Sequence, residues 1–92
     1  MPAFTPAEVA LHMSALPAWK VEVGELARTF LFEDFRAAVR FVNRVAELAE
    51  EAGHHPDINI RYNRVRLGLA THDAGGLTAK DFDLAASIDK LS

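Results

Sequence analysis

Glu50 and the pair His54-His55 lie within one eight-residue stretch, Glu50-Glu51-Ala52-Gly53-His54-His55-Pro56-Asp57, and His72 follows on the next predicted hairpin. A free imidazole titrates near about 6.5, so it can donate or accept a proton close to neutrality. Two or three imidazoles around one pocket could supply an acid and a base to the same reaction. Carboxylates orient imidazole N–H groups and fix tautomers. Glu50, one turn before His54, and Asp81 are the candidates for that task. A His-His-Pro sequence by itself is often only a loop, and three histidines can also ligate zinc. Adjacent His54 and His55 point apart in most backbone conformations, however, and no cysteine assists them, so no metal is expected. Nucleophilic catalysis has little support: Ser14, Ser87 and Ser92 fall in predicted helices away from the histidines. Gly75-Gly76 lacks the spacing and the lysine of a phosphate-binding loop. The fourth histidine, His12, has no acid or base beside it in sequence and is expected in solvent.

Composition narrows the setting of this chemistry. Ninety-two residues are expected to form one domain, residues 1–92, because two cores of half that size would each be marginal. A modest core makes self-association a natural way to bury more apolar surface. The net charge of −3, with both signs interspersed, argues against direct nucleic-acid binding. No run approaches the roughly 20 apolar residues of a membrane span. The N-terminus lacks the basic and apolar regions of a secretion signal, so a cytoplasmic location is expected. The absence of cysteine excludes disulfides and thiolate chemistry.

The elements that must position the histidines can be read in order. Thr5-Pro6-Ala7-Glu8 is a helix start, with Thr5 as cap and Glu8 completing a capping box. Val9, Met13 and Leu16 continue one apolar stripe up to Pro17. Trp19, Val21 and Val23 alternate with polar residues as a half-buried strand, with a hairpin turn at Gly24-Glu25. The partner strand covers 26–32, with Leu26, Arg28, Phe30 and Phe32 on one face. Asp34 caps a long helix to about Ala52, whose apolar face includes Phe35, Ala38, Val39, Phe41, Val42, Val45, Ala46, Leu48 and Ala49. Gly53 suits a left-handed C-cap. A second hairpin, 58–62 and 65–72 turning at Asn63-Arg64, would set residue 57 opposite about 70 and carry His72 beside the His54-His55 loop. Asp73-Ala74-Gly75-Gly76 reads as a flexible turn. Thr78 and Asp81 form a second capping box, ahead of a helix carrying Leu84, Ala85, Ile88 and Leu91. The order α-β-β-α-β-β-α predicts an α+β fold: a four-stranded antiparallel sheet with three helices packed on one face.

The spaced pattern Glu50-x3-His54-His55-Pro56-x5-Tyr62-x9-His72-x8-Asp81 resembles the pterin-4a-carbinolamine dehydratase family, also known as the dimerisation cofactor of a homeodomain transcription factor. Trp19, Arg28-Thr29-Phe30-Leu31-Phe32, Asp34-Phe35, Val45-Ala46-x2-Ala49-Glu50 and Thr71-His72-Asp73-Ala74-Gly75-Gly76-Leu77-Thr78 extend the resemblance from about Thr5 to Leu91. It implies a dehydratase converting 4a-hydroxytetrahydropterin, such as 4a-hydroxytetrahydrobiopterin, to quinonoid dihydropterin and water without metal or redox cofactor. It implies catalytic roles for His54, His55 and His72, with His54 and His72 sharing acid–base duty and His55 binding or assisting. Glu50 and Asp81 become supporting carboxylates. Gly53, His54, His55, Ala70, Thr71, His72 and Asp73 become the substrate-contacting residues.

The resemblance also implies a homo-oligomer, dimer or tetramer, with the sheet edge and Trp19 as interface elements, and a functional link to an aromatic amino acid hydroxylase. Two departures stand out. Gly53 occupies a position often polar in relatives, and Ile58 one often aromatic. Two other readings compete: a non-catalytic protein-binding module like the family's coactivator role, and a pterin-handling protein linked to molybdopterin.

Overall fold

The computed structural model describes residues 2–91. Helix α1 spans Pro6–Met13 and closes on the expected box: the Glu8 amide donates to Thr5 Oγ1 at 3.2 Å and the Thr5 amide to Glu8 Oε1 at 2.8 Å. It stops short of Leu16. The chain then descends through turns whose amides, Leu16 to Met13 O and Trp19 to Leu16 O, bond at 3.0 Å each. Leu16 still reaches the core, through the turn rather than along a helical stripe.

Strand β1 is only Lys20–Glu22 and is exposed throughout. Of the alternating trio Trp19, Val21 and Val23, only Trp19 is buried. Val23 occupies the turn. The register Glu22↔Glu25 leaves Val23-Gly24 as a two-residue hairpin loop at φ 49° and 76°, as a type I′ turn requires. The turn therefore lies one residue earlier than Gly24-Glu25, because Gly24 takes the second of its two left-handed positions. Strand β2 follows as Glu25–Leu31.

Helix α2, Phe35–Ala52, starts where the Ala37 amide donates to Asp34 Oδ1 at 2.8 Å and ends at left-handed Gly53 (φ 63°). Its buried line is Ala38, Phe41, Val45 and Ala49. Phe35 and Ala46, assigned to the apolar face by periodicity, are exposed because they flank that line. Strands β3 (Asp57–Arg61) and β4 (Arg64–Leu69) turn at Tyr62-Asn63, with Tyr62 at φ 53°. The turn again falls one residue early, so Asp57 faces Gly68 rather than residue 70. Residues 73–76 are not a loose turn. His72–Ala74 form one turn of 3-10 helix, closed by a bridge between Thr71 and Gly76. Helix α3, Ala79–Asp89, completes the chain.

The sheet is antiparallel in the order β1-β2-β4-β3. Its central pair aligns Leu26 with Leu69, Arg28 with Leu67 and Phe30 with Val65, so these side chains share one face. That face joins Ala38, Phe41 and Val45 of α2 and Phe82, Leu84, Ala85 and Ile88 of α3 in one core, with Val9 and Met13 of α1 packed against it. Each fully buried Leu or Ile contributes about 1.5–3 kcal/mol by leaving water. Arg28 would interrupt this face, but its guanidinium lies 4.2 Å over the Phe30 ring and 2.6 Å from Asp89. Asp89 also accepts from Trp19 Nε1 at 2.7 Å, which fixes Trp19 inside the core rather than at the surface.

Candidate active site

The left-handed Gly53 turns the chain sharply at the end of α2, and the His54 amide still bonds back to Ala49 O at 3.1 Å. His54 is thereby aimed inward at the start of α3. Its Nε2 lies 2.5 Å from Asp81 Oδ1, with the imidazole 11% exposed and the carboxylate wholly buried. His55, next in sequence, points the other way. Its Nε2 meets Glu50 Oε2 at 2.5 Å in solvent. Glu50 therefore serves His55 rather than His54, because His54 leaves the helix axis while His55 lies back along its last turn.

Asp81 is held from every side. As the third helical residue of the capping box, it accepts from the Thr78 amide at 2.9 Å through Oδ2. The same oxygen accepts from Thr71 Oγ1 at 2.8 Å, and Thr71 Oγ1 lies 2.8 Å from Thr78 Oγ1. Burying a carboxylate is expensive unless its lone pairs are met by donors. Here, among the described residues, no buried side-chain nitrogen or oxygen lacks a partner. With two donors already on Oδ2, the carboxylate presents Oδ1 as a further acceptor and takes a proton-bearing nitrogen from His54. The neutral ring is then the Nε2–H tautomer, leaving Nδ1 as its acceptor.

His72 opens the 3-10 turn and is exposed. The strand register places it beyond the end of β3, on the side of the 53–56 loop. The two-residue shift of the hairpin does not separate them, since β4 and the Thr71–Gly76 bridge run on past Asp57. Gly53, His54, His55, Ala70, Thr71, His72, Asp73 and Lys80 line one open cleft of about 250 Å³. Every substrate-contacting position expected from the sequence lies on this wall, while Asp81 stands behind His54 and Glu50 beside His55.

Two residues were not assigned to the site from the sequence. Lys80 lines the cleft and also a neighbouring concavity of about 310 Å³ between α2 and α3, which shares His54 with it. Thr78 supports Asp81 from below. The capping box at Thr78 and Asp81 was the available signal: it fixes Lys80 in the first turn beside the histidine partner. Among the described residues, no three His, Cys, Asp or Glu side chains are grouped to hold a metal ion. No helix among them is long and apolar enough to cross a membrane. The arrangement suits proton transfer: two imidazoles with carboxylate partners and a third beside a cleft open to a flat molecule.

Residues 2–91 match the family model described as pterin 4 alpha carbinolamine dehydratase. A protein of Acidobacterium capsulatum, provisionally named pterin-4-alpha-carbinolamine dehydratase, is 63% identical over 91 residues, covering 99% of both chains. A likewise named protein of Chloroflexus aurantiacus is 59% identical over 91 residues, covering 99% of this chain and 98% of its own. The crystal structure of a transcriptional coactivator/pterin dehydratase from Brucella melitensis superposes with a TM-score of 0.92 at 33% identity, covering 97% of each chain. A pterin dehydratase-like protein identified as a RuBisCO assembly factor in the alpha-carboxysome superposes with a TM-score of 0.64 at 27% identity, covering 79% of this chain and 84% of that one.

Proposed function

This chain belongs to the pterin 4 alpha carbinolamine dehydratase family, and from that premise we propose that it dehydrates 4a-hydroxytetrahydropterins, 4a-hydroxytetrahydrobiopterin among them. The observation that carries this reading is the buried His54–Asp81 pair sharing one cleft with His72. In the reaction a base takes the N5 proton and an acid protonates the 4a-hydroxyl. The C4a–O bond breaks as the N5=C4a double bond forms, and quinonoid dihydropterin and water leave. His54, with Nε2 committed to Asp81, offers Nδ1 as the base. His72, exposed on the lining of the cleft, is the acid. His55, tied to Glu50, binds the substrate, and backbone groups of Gly53 and Ala70 to Asp73 meet the edge of the bicycle.

The product is the form that a reductase returns to tetrahydropterin, which links the chain to an aromatic amino acid hydroxylase in the cytoplasm. The same reading makes the protein a homo-oligomer. Edge strand β3, with Ile58 and Ile60 more than a third exposed, offers apolar surface and unpaired backbone for a second copy.

The test is stopped-flow dehydration of synthetic 4a-hydroxytetrahydropterin. His54→Ala and His72→Ala should each slow it by about 10²–10⁴-fold, the usual contribution of a positioned acid or base. Rates unchanged in both variants would refute the roles assigned to them.

A second reading rests on the carboxysomal neighbour, a pterin dehydratase-like protein whose stated role is assembly. A non-catalytic binding role for this chain would show as a stoichiometric protein partner and no turnover of the carbinolamine by the unaltered protein.

A further inference from the structure

Thr71 and Thr78 stand between two parts of the cleft that are distant in sequence. Thr71 directly precedes His72, and Thr78 caps the helix that carries Asp81. Their hydroxyls are 2.8 Å apart, and each oxygen has one proton to give. A distance alone leaves the direction of that bond open. The neighbours decide it. Asp81 Oδ2 already takes the Thr78 amide and acts as an acceptor, so Thr71 must donate its proton there, at 2.8 Å. Thr71 Oγ1 is then free only to accept, so the Thr78 hydroxyl donates to it. Thr78 Oγ1 in turn accepts the Lys80 amide at 3.3 Å. The four groups make a one-way chain: Lys80 N–H to Thr78 O–H to Thr71 O–H to Asp81. Thr78 and Asp81 are wholly buried and Thr71 partly so, which shields these bonds from bulk solvent.

We propose that Thr71 and Thr78 are positioning residues, a hydroxyl relay that holds Asp81 as an acceptor and thereby sets the proton of His54 on Nε2 and its lone pair on Nδ1. This deepens the dehydratase reading and rests on it only for the kinetic consequence. Hydrogen bonds in such a chain polarise one another, so each donor upstream strengthens the next. The relay also ties the segment that bears His72 to the carboxylate that orients His54. The His54 ring and the residue preceding His72 thus meet on the two oxygens of one buried carboxylate. Neither threonine hydroxyl has to touch the substrate for this to operate.

The relay is read by long-range ¹H–¹⁵N correlation spectra of the histidine side chains in the full chain, without substrate. In the unaltered protein, the neutral His54 ring should carry its proton on Nε2, with a downfield, slowly exchanging Nε2–H resonance. Thr71→Val keeps the shape of the side chain and leaves the Thr78–Asp81 capping box in place, but it cannot donate. It should lose the downfield proton or give mixed tautomers, and should lower kcat about 10-fold with less than a twofold change in KM, less than complete loss of a general base gives. Thr71→Ser should restore both. A neutral His54 protonated on Nδ1 in the unaltered protein overturns the proposal, and this measurement needs no variant to fold. A Thr71→Val protein with the His54 signature intact overturns it as well, whatever its rate. If the spectra behave as expected but the unaltered protein does not dehydrate the carbinolamine, the relay stands and the assigned reaction falls.

Discussion

Asp81→Asn tests the centre of the site with the smallest change of shape. The wild-type carboxylate takes His54 Nε2 at 2.5 Å on one oxygen, and the Thr78 amide at 2.9 Å and Thr71 Oγ1 at 2.8 Å on the other. An amide has one oxygen and must choose. With its oxygen towards the two threonine donors, its NH₂ faces His54 and forces the ring to accept through Nε2, the opposite tautomer. With its oxygen towards His54, its NH₂ meets two donors in a wholly buried site. The first arrangement is the cheaper. It exchanges three charge-assisted bonds, about 1.5–3 kcal/mol each, for neutral ones of about 0.5–1.5 kcal/mol. Part of that difference is returned because the buried charge is gone. The net loss should be about 1–3 kcal/mol, which lowers the unfolding temperature of a domain this small by about 4–24 °C. Activity should fall much further, by about 10²–10⁴-fold in kcat, since the ring offers the wrong nitrogen. Thermal unfolding by circular dichroism and stopped-flow dehydration measure the two separately. An Asp81→Asn protein that keeps kcat within twofold of the unaltered one would refute the claim that Asp81 sets the state of His54.

Glu50→Gln alters the other histidine–carboxylate pair, but there both side chains are well exposed, at 76% and 66%. Solvent screens such a pair, so kcat should drop less than about fivefold and the unfolding temperature should hardly move; a loss as large as that of Asp81→Asn would contradict the separation of roles. Val23→Asn should stabilise the protein by about 1 kcal/mol, because a fully exposed β-branched residue at φ 49° is replaced by one that tolerates this conformation, giving the favoured Asn-Gly turn; a lower unfolding temperature would count against the turn described. Asp89→Ala removes the acceptor shared by Trp19 Nε1 and Arg28. It should destabilise by about 1–3 kcal/mol and change the near-ultraviolet dichroism of the lone tryptophan; an unchanged Trp19 signal would show that this contact does not hold the ring.

Local rules made much of this protein legible before any coordinates. Both capping boxes, the Asp34 cap and the Gly53 terminus depend on residues within a turn of one another, and all four form as their spacing predicts. The order of elements and the α+β class follow from hydrophobic period, which is also local. Hairpin geometry carried His72 to the His54-His55 loop, and the resemblance supplied the remaining lining of the cleft. What failed locally was hairpin register. Both turns fall one residue early, because Val23 and Tyr62 accept left-handed backbone that their side chains alone would disfavour. Apolar alternation could not show that Val21 and Val23 lie outside the core, because burial of an edge strand is decided by what covers it. The pairing of carboxylates with histidines was likewise tertiary. Sequence distance favoured Glu50 for His54, four residues away, but the reversal at Gly53 gives His54 to Asp81, 27 residues on, and leaves Glu50 to His55. Charge partners across a fold are chosen by the direction in which the backbone aims a side chain. That direction is fixed only once the helix end, the hairpin and the last helix are packed around one core.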